Sequence, residues 1–364
     1  MPYALYTLHI NALKSADSMA HTYLTLIIPA ISTFLITVIA VLFIKSYMLE
    51  SGVTIIDHNK SKKIILPSGG GVAVAFGFTA GMLVYIFGSS FSFYTPVASL
   101  EYLFAAVLSV LLIAFGGFLD DINVKKEMTR TTDLIDTHKG LHQWQKPLLS
   151  LIGAIPLIAI NAGVSTIRIP FLGAFNFGIL YPLVIIPLAV IFSANAFNLL
   201  GGFDGILSGC GLIMSLSMLV YSLVFGTYTG TLVSGVLFAA ILAFMLFNVY
   251  PAKVIGGDSF SYCMGGALVA AMIIGNMESF GVVISLPFII EFLLHLRKKF
   301  NVTDLGKRRN DGTFEAPYGK KIYSWTHLIM NLKRQKEWEV SLYMWIIELG
   351  FVALAFAMKL LLLL

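Results

Sequence analysis

The sequence predicts an all-α, polytopic integral membrane protein, and three observations carry that reading. Of its 364 residues, 58% are hydrophobic and 12% are charged, whereas soluble globular chains carry about 25% charged residues. Mean hydropathy is +0.87, and long apolar runs recur from end to end, which excludes a soluble domain with one anchor. The charges gather in the gaps between those runs, as membrane topology requires.

A hydrocarbon core about 30 Å thick takes roughly 20 apolar residues of helix. On that measure ten spans are expected, at 22–48, 69–88, 101–119, 147–163, 178–197, 205–225, 231–248, 259–275, 279–297 and 339–362. Pro147, Pro156, Pro182 and Pro187 fall in the fourth and fifth and predict bends there. Between those two spans, VSTIRIPFLGAFNF (164–177) alternates apolar and polar residues around Gly173, the pattern of a short hairpin. Ten spans put both termini on one side. With the loops alternating, 21 of the 24 basic residues fall on one face, and the other keeps Lys14, Arg168 and Lys359. The positive-inside rule then places the basic loops in the cytoplasm and both termini outside. Cys210 and Cys263 form neither a disulfide framework nor a zinc spacing. The first 21 residues lack the basic start and apolar run of a cleavable signal peptide.

Four polar clusters sit at helix ends, all on the basic face. FGGFLDDIN ends span three with Asp120, Asp121 and Asn123. SANAFNLLGGFDG ends span five with Asn195, Asn198 and Asp204. VIGGDSFSY opens span eight with Asp258 and Ser259. IIDHNKSKKIILPSGGG precedes span two with Asp57, Asn59 and Lys60. Each has a plain structural reading. Asp258 with Ser259 caps span eight and Asp204 caps span six. Asn195 and Asn198 hydrogen-bond between helices, and Asp120 and Asp121 are solvated interface residues. Four such clusters on one face, however, mark converging acidic groups near a membrane, which are functional candidates.

Oxygen ligands from Asp and Asn, without His or Cys, suit Mg²⁺ or Mn²⁺ and phosphoryl transfer. The pairs Gly201–Gly202 and Gly256–Gly257 precede helix starts and leave backbone N–H groups for phosphate oxygens. A secondary transporter of an anionic substrate is the alternative. Transporters hold their ionisable groups near the midplane, whereas these sit at helix ends.

YPAKVIGGDSFSYCMGG (250–266), NAFNLLGGFDG (195–205) and FGGFLDDIN (115–123) together resemble the polyprenyl-phosphate N-acetylhexosamine-1-phosphate transferases. The likeness runs in order over nearly the whole chain and is greatest to the archaeal and eukaryotic dolichyl-phosphate N-acetylglucosamine phosphotransferases. It implies a single transmembrane catalytic unit over 1–364, a UDP-sugar donor, a polyprenyl or dolichyl phosphate acceptor, and release of UMP. The setting it implies is lipid-linked glycan synthesis, for N-glycosylation or surface polysaccharide, in the plasma membrane of an archaeon. The partners are the two substrates and the bilayer, with a homodimer left open and no nucleic acid.

Residue by residue, the family's paired acidic motif corresponds to Asp120 and Asp121. Its metal ligands for Mg²⁺ (or Mn²⁺) correspond to Asn198 and Asp258, and its phosphate-gripping lysine to Lys146. The uracil contact corresponds to Asp204-Gly205, where aspartate replaces the family's asparagine, and substrate binding extends to Asn195. The first-loop motif corresponds to Asp57, Asn59 and Lys60. One departure stands out: the last cytoplasmic loop reads FNVTDLG where family members carry a His- or Arg-rich patch. Lys307, Arg308 and Arg309, and further on His327, are the candidate substitutes; a solvated basic loop is the plainer reading.

The implied mechanism is attack of the lipid phosphate on the β-phosphorus. Adjacent helical residues point about 100° apart, so Asp120 and Asp121 take different jobs. One faces the metal and the substrate phosphates; the other orients Lys146 or the acceptor. Within the cytoplasmic loop 298–338, Ile322, Trp325, Leu328, Ile329 and Leu332 share one side of a helix at 322–332. An interfacial helix bordering the lipid entrance fits that stripe, and so does a loop helix packed on the bundle.

Overall fold

The computed structural model describes residues 2–361 apart from 63, 95–96, 123–128, 131–134, 137–140, 143 and 171; side chains are described from residue 24 onward, except 129–130 and 135–136. Its elements run α1 (Pro2–Glu50), β1 (Thr54–Asp57), β2 (Ile64–Pro67), α2 (Gly70–Ser90), α3 (Leu100–Asp121), β3 (Thr129–Arg130), β4 (Ile135–Asp136) and α4 (Gln145–Ala159). There follow β5 (Thr166–Ile169), β6 (Gly173–Asn176), a π-helical turn (Tyr181–Ile185), α5 (Ile186–Phe197), α6 (Ile206–Phe225), α7 (Tyr228–Asn248) and α8 (Gly257–Ile274). The chain ends with α9 (Glu278–Ile284), α10 (Leu286–Leu296), β7 (Lys307–Arg308), β8 (Thr313–Glu315), α11 (Trp325–Leu332), β9 (Gln335–Lys336) and α12 (Glu337–Leu360).

Seven of these helices, α1 from Leu24 on, α2, α3, α6, α7, α8 and α12, are long and apolar enough to cross a membrane, and α9 with α10 adds an eighth if the bent pair is one span. Only helices satisfy their own backbone groups in lipid, so apolar runs of this length become helices. The fourth and fifth expected spans are the shorter helices Gln145–Ala159 and Tyr181–Phe197. Pro147 sits in the first turn of α4, Pro182 lies within the π-helical turn, and Pro187 is in the first turn of α5. The sharpest break lies elsewhere: α9 and α10 meet at 55° across Ser285, beside Pro287.

At the centre stands α8, 89% buried over its span and packed by α3, α5 and α2. The outermost helices, α1 and α12, are each only 28% buried. The outer side chains are apolar, among them Ile39, Phe43 and Ile346, which suits a lipid surround. The expected hairpin forms as β5–β6, paired Thr166↔Asn176 to Ile169↔Gly173. A second hairpin, β1–β2, and the three-stranded sheet β7–β8–β9 had no clear signature in the apolar pattern. The expected loop helix forms as α11, docked on the bent pair: the Trp325 indole donates to Pro287 O at 2.9 Å and its backbone N–H to Glu291 Oε2 at 2.9 Å.

Candidate active site

The ends of α3 and α5 and the start of α8 meet at one end of the bundle, with the segments 54–59 and 302–305 laid across them. Between them lies a cavity of about 470 Å³. Asp57, Asp120, Asp121, Asp204, Asp258 and Asp304 line it together with Lys146. Six carboxylates around so small a space repel one another unless cations or hydrogen-bond donors face them. The structure shows how most are answered.

Lys146, in the first turn of α4, places Nζ 2.6 Å from Asp120 Oδ2 and 3.3 Å from Asp258 Oδ2. The other Asp120 oxygen accepts the backbone N–H of Leu141. Asp121 points differently, as adjacent helical residues must. Its Oδ1 accepts the N–H of Asp258 at 2.8 Å and its Oδ2 that of Ser259 at 3.0 Å. Asp121 therefore caps α8 from a neighbouring helix, where a carboxylate is favoured by the free N–H groups and the helix dipole. Gly257 makes this approach feasible: its φ is +71°, and a Cβ there would stand 2.4 Å from Asp121 Oδ1. The two aspartates differ in role, but only half of the expected division appears: Asp120 orients Lys146, whereas Asp121, instead of facing a metal and the substrate phosphates, spends both oxygens on the start of α8. Asp258 and Ser259 receive a cap and do not supply one.

Asp258 is the open member of the set. Its side chain is 30% exposed against 1% for Asp120. Asn198, at the end of α5, reaches the Asp258 carboxylate and accepts Ser261 Oγ at 2.8 Å. Asn195, one turn earlier, does not line the cavity. Its amide donates to Ile191 O at 2.7 Å and to Ser150 Oγ at 3.3 Å, and accepts Tyr262 Oη at 3.4 Å, the interhelical role.

A second cluster backs the cavity wall. Asp57, Asp204 and Glu337 each offer a carboxylate oxygen within 4.8 Å of the others, an arrangement that could hold a metal ion. The chain supplies the cation itself: Lys60 Nζ lies 3.2 Å from Asp57, 2.7 Å from Asp204 and 2.6 Å from Glu337. Burial pulls the Lys60 ammonium down, but hydrogen bonds and charge from Asp204 and Glu337 outweigh it and raise its pKa. Asp204 Oδ2 also accepts the N–H of Ala252 at 2.9 Å, so this aspartate ties loops together and does not cap α6. Gly205, at the start of α6, accepts the Trp345 indole on its carbonyl at 3.1 Å.

The Gly201–Gly202 turn differs from expectation. Both N–H groups donate to Asp304 Oδ2, at 2.8 and 2.6 Å, so the seat foreseen for a phosphate oxygen holds the chain's own carboxylate. Burial raises the Asp304 pKa, and the two glycine N–H groups partly offset that rise. His327 is buried outside the cavity lining: its Nδ1 accepts the N–H of Tyr323 at 3.2 Å, which leaves Nε2 to donate to Thr303 O at 2.9 Å. Both ring nitrogens serve the neutral imidazole, and burial lowers its pKa from 6.5 to about 4. Lys307, Arg308 and Arg309 lie on and just beyond β7, outside the cavity lining, with Arg309 paired to Glu315. Asn123, Lys63, Lys125, Lys126 and Lys139 lie outside the described residues. Glu337 and Asp304 escaped the sequence reading because an acidic residue beside lysines reads as solvated loop charge.

A helical membrane protein with a cavity of carboxylates at its helix ends, gripped by one lysine and one open aspartate, has the makings of a phosphate-handling site. Comparison with known proteins gives the family. The chain belongs to glycosyl transferase family 4, whose family model matches residues 103–276. It is 34% identical over 338 residues to a protein of Saccharolobus solfataricus, covering 91% of this chain and 96% of that one. It is 32% identical over 340 residues to one of Sulfolobus acidocaldarius, covering 93% and 97%. Both are provisionally named UDP-N-acetylglucosamine–dolichyl-phosphate N-acetylglucosaminephosphotransferase. A phospho-N-acetylmuramoyl-pentapeptide-transferase of Halalkalibacterium halodurans is 29% identical over 340 residues, covering 91% and 95%.

Proposed function

We propose that this enzyme transfers N-acetylglucosamine 1-phosphate from UDP-GlcNAc to a polyprenyl or dolichyl phosphate, releasing UMP. The observation that carries the reading is Lys146 held between Asp120 and the open Asp258 at the cavity floor. The names of the archaeal relatives supply the donor and acceptor chemistry. The distribution of basic loops supports a cytoplasmic cavity with both termini outside, and the archaeal relatives support an archaeal plasma membrane as its setting.

An oxygen of the lipid phosphate attacks the β-phosphorus, the bond from that phosphorus to the bridging oxygen breaks, and UMP leaves with it. The nucleophile is an anion already, so the site has to position it and offset charge. Lys146 is placed for the phosphates; burial opposes its charge, but the charges of Asp258 and Asp120 outweigh burial and keep it protonated, and Asp120 aims it. Asn198 and the open carboxylate of Asp258 offer hard oxygen donors side by side, with no sulfur among the described lining residues, which fits Mg²⁺ or Mn²⁺. Bound there, the ion would neutralise pyrophosphate charge. Both oxygens of Asp120 and both of Asp121 are already engaged, which supports direct transfer over an aspartyl-phosphate relay.

The test is purified protein with polyprenyl phosphate and Mg²⁺, given UDP-GlcNAc, UDP-GalNAc or UDP-Glc in parallel and scored for UMP. UMP release with UDP-GlcNAc as the preferred donor is expected. No release with any donor would end this reading.

A further inference from the structure

We propose that Asp304 is a positioning residue for this reaction: its carboxylate holds the Gly201–Gly202 turn and thereby sets Asn198 and Asp204 in place. The inference rests on the transferase reading above. The turn from Asn198 to Gly205 joins α5 to α6, and two adjacent glycines give it wide backbone freedom, which must be restrained if the flanking side chains are to be fixed. Elements outside the turn supply the restraint on both of its polar sides. Asp304 Oδ2 accepts the N–H groups of Gly201 and Gly202 at 2.8 and 2.6 Å. From the opposite side, Asn59 Nδ2 donates to Gly202 O at 2.6 Å. A Cβ on Gly202 would come within 2.9 Å of the Asp304 carboxylate, so the glycine and the aspartate are fitted to each other.

The arm that carries Asp304 is fastened independently of its carboxylate. Thr303 N–H donates to Tyr318 Oη at 3.2 Å, and His327 Nε2 donates to Thr303 O at 2.9 Å. Thr326 Oγ1 donates to Asp304 O at 2.8 Å. Through α11 this arm is tied to the bent pair α9–α10 by the two Trp325 bonds. A carboxylate parked on the turn only until a substrate phosphate displaces it would need an arm free to swing. This arm is anchored at successive residues, so the geometry favours a permanent brace. The brace also accounts for the unusual composition of the last loop, where an acidic residue borders a cavity meant for anions: its charge is spent on backbone N–H groups.

The experiment compares wild type, Asp304→Ala, Asp304→Asn and Gly202→Ala in detergent, measuring kcat and KM for UDP-GlcNAc, unfolding temperature, and UDP binding by calorimetry. Asp304→Ala should lower kcat by about tenfold or more while KM stays within about threefold. Asp304→Asn still offers an acceptor oxygen to both N–H groups and should recover most of the loss. Gly202→Ala, which pushes the carboxylate off the turn, should behave like Asp304→Ala. Wild-type kcat in Asp304→Ala or in Gly202→Ala would overturn the proposal. So would tighter UDP binding in Asp304→Ala, which would make the turn a phosphate seat. An Asp304→Asn protein as impaired as Asp304→Ala, with unchanged unfolding temperature, would assign the charge a direct role and also overturn it. Should Asp304→Ala not fold, loss of kcat in Gly202→Ala with retention in Asp304→Asn supports the brace, and any other pattern refutes it. Failure of the wild type itself to release UMP would instead remove the underlying transferase reading.

Discussion

Replacing Lys60 with methionine keeps the side-chain length and deletes the charge that three carboxylates share. Nζ lies within 3.2 Å of Asp57, Asp204 and Glu337, which are 4–5% exposed, while Lys60 is 14% exposed. Removing one partner from a buried ionic cluster strands the remaining charge and costs about 3–5 kcal/mol. The lower half of that range applies here, because water reaches Lys60. The three carboxylates come from the β1–β2 segment, the α5–α6 turn and the start of α12, so the loss should appear as a lower unfolding temperature, by on the order of 5 °C. Thermal unfolding of the detergent-solubilised protein reads it.

The pH dependence has a definite sign. The folded pKa of Lys60 is raised above its ordinary 10.5, so in the wild type its contribution is complete below pH 10.5 and is lost only as pH rises through the folded value. In Lys60→Met, the stranded carboxylates hold protons more tightly folded than unfolded. The deficit should therefore shrink as pH falls and grow as pH rises toward neutrality. Adding Glu337→Gln to Lys60→Met removes one stranded charge and should restore part of the stability. An unchanged unfolding temperature in Lys60→Met, or a double variant less stable than the sum of the singles, would refute the internal-cation reading.

Three further outcomes are expected. Asp258→Ala and Asn198→Ala should each abolish UMP release without lowering the unfolding temperature by more than about 2 °C, since Asp258 is open to the cavity; near-normal Mg²⁺-dependent turnover in either would remove it from the proposed metal site. Stability of the wild type should fall as pH drops from 6.5 to about 4, because unfolding frees His327 to bind a proton that the folded site resists; His327→Gln should lack that component, and an identical pH profile would show that burial does not govern this histidine. With UDP-GlcNAc and labelled UMP but no lipid acceptor, a direct enzyme exchanges no label, and appreciable exchange in delipidated protein would establish a covalent relay instead.

The membrane class, the helices, the β5–β6 hairpin and the α11 segment were legible because each rests on a local pattern: apolar length, alternation about Gly173, or a helical stripe. Asp120, Asp121, Asn198 and Asp258 were legible as candidates, since polar groups at apolar helix ends stand out against their surroundings; Lys146 was named only through the family resemblance. Asn195, three residues before Asn198, shows where that signal fails. Spacing alone does not separate a side chain facing the cavity from one spent on Ser150 and the Ile191 carbonyl.

The sequence by itself determined which segments enter the bilayer and which acidic residues gather at their ends, because hydropathy and local charge are properties of neighbouring residues. Only the tertiary structure decided what each acidic group does. Asp121 became the cap of α8, Asp204 and Glu337 became ligands of Lys60, and Asp304 took the glycine N–H groups expected to face a phosphate. These partners lie far apart in the chain, Asp121 and Asp258 by 137 residues and Lys60 and Glu337 by 277. A carboxylate's role is set by the donor that packing brings within about 3 Å, and no local pattern in the sequence records that distance.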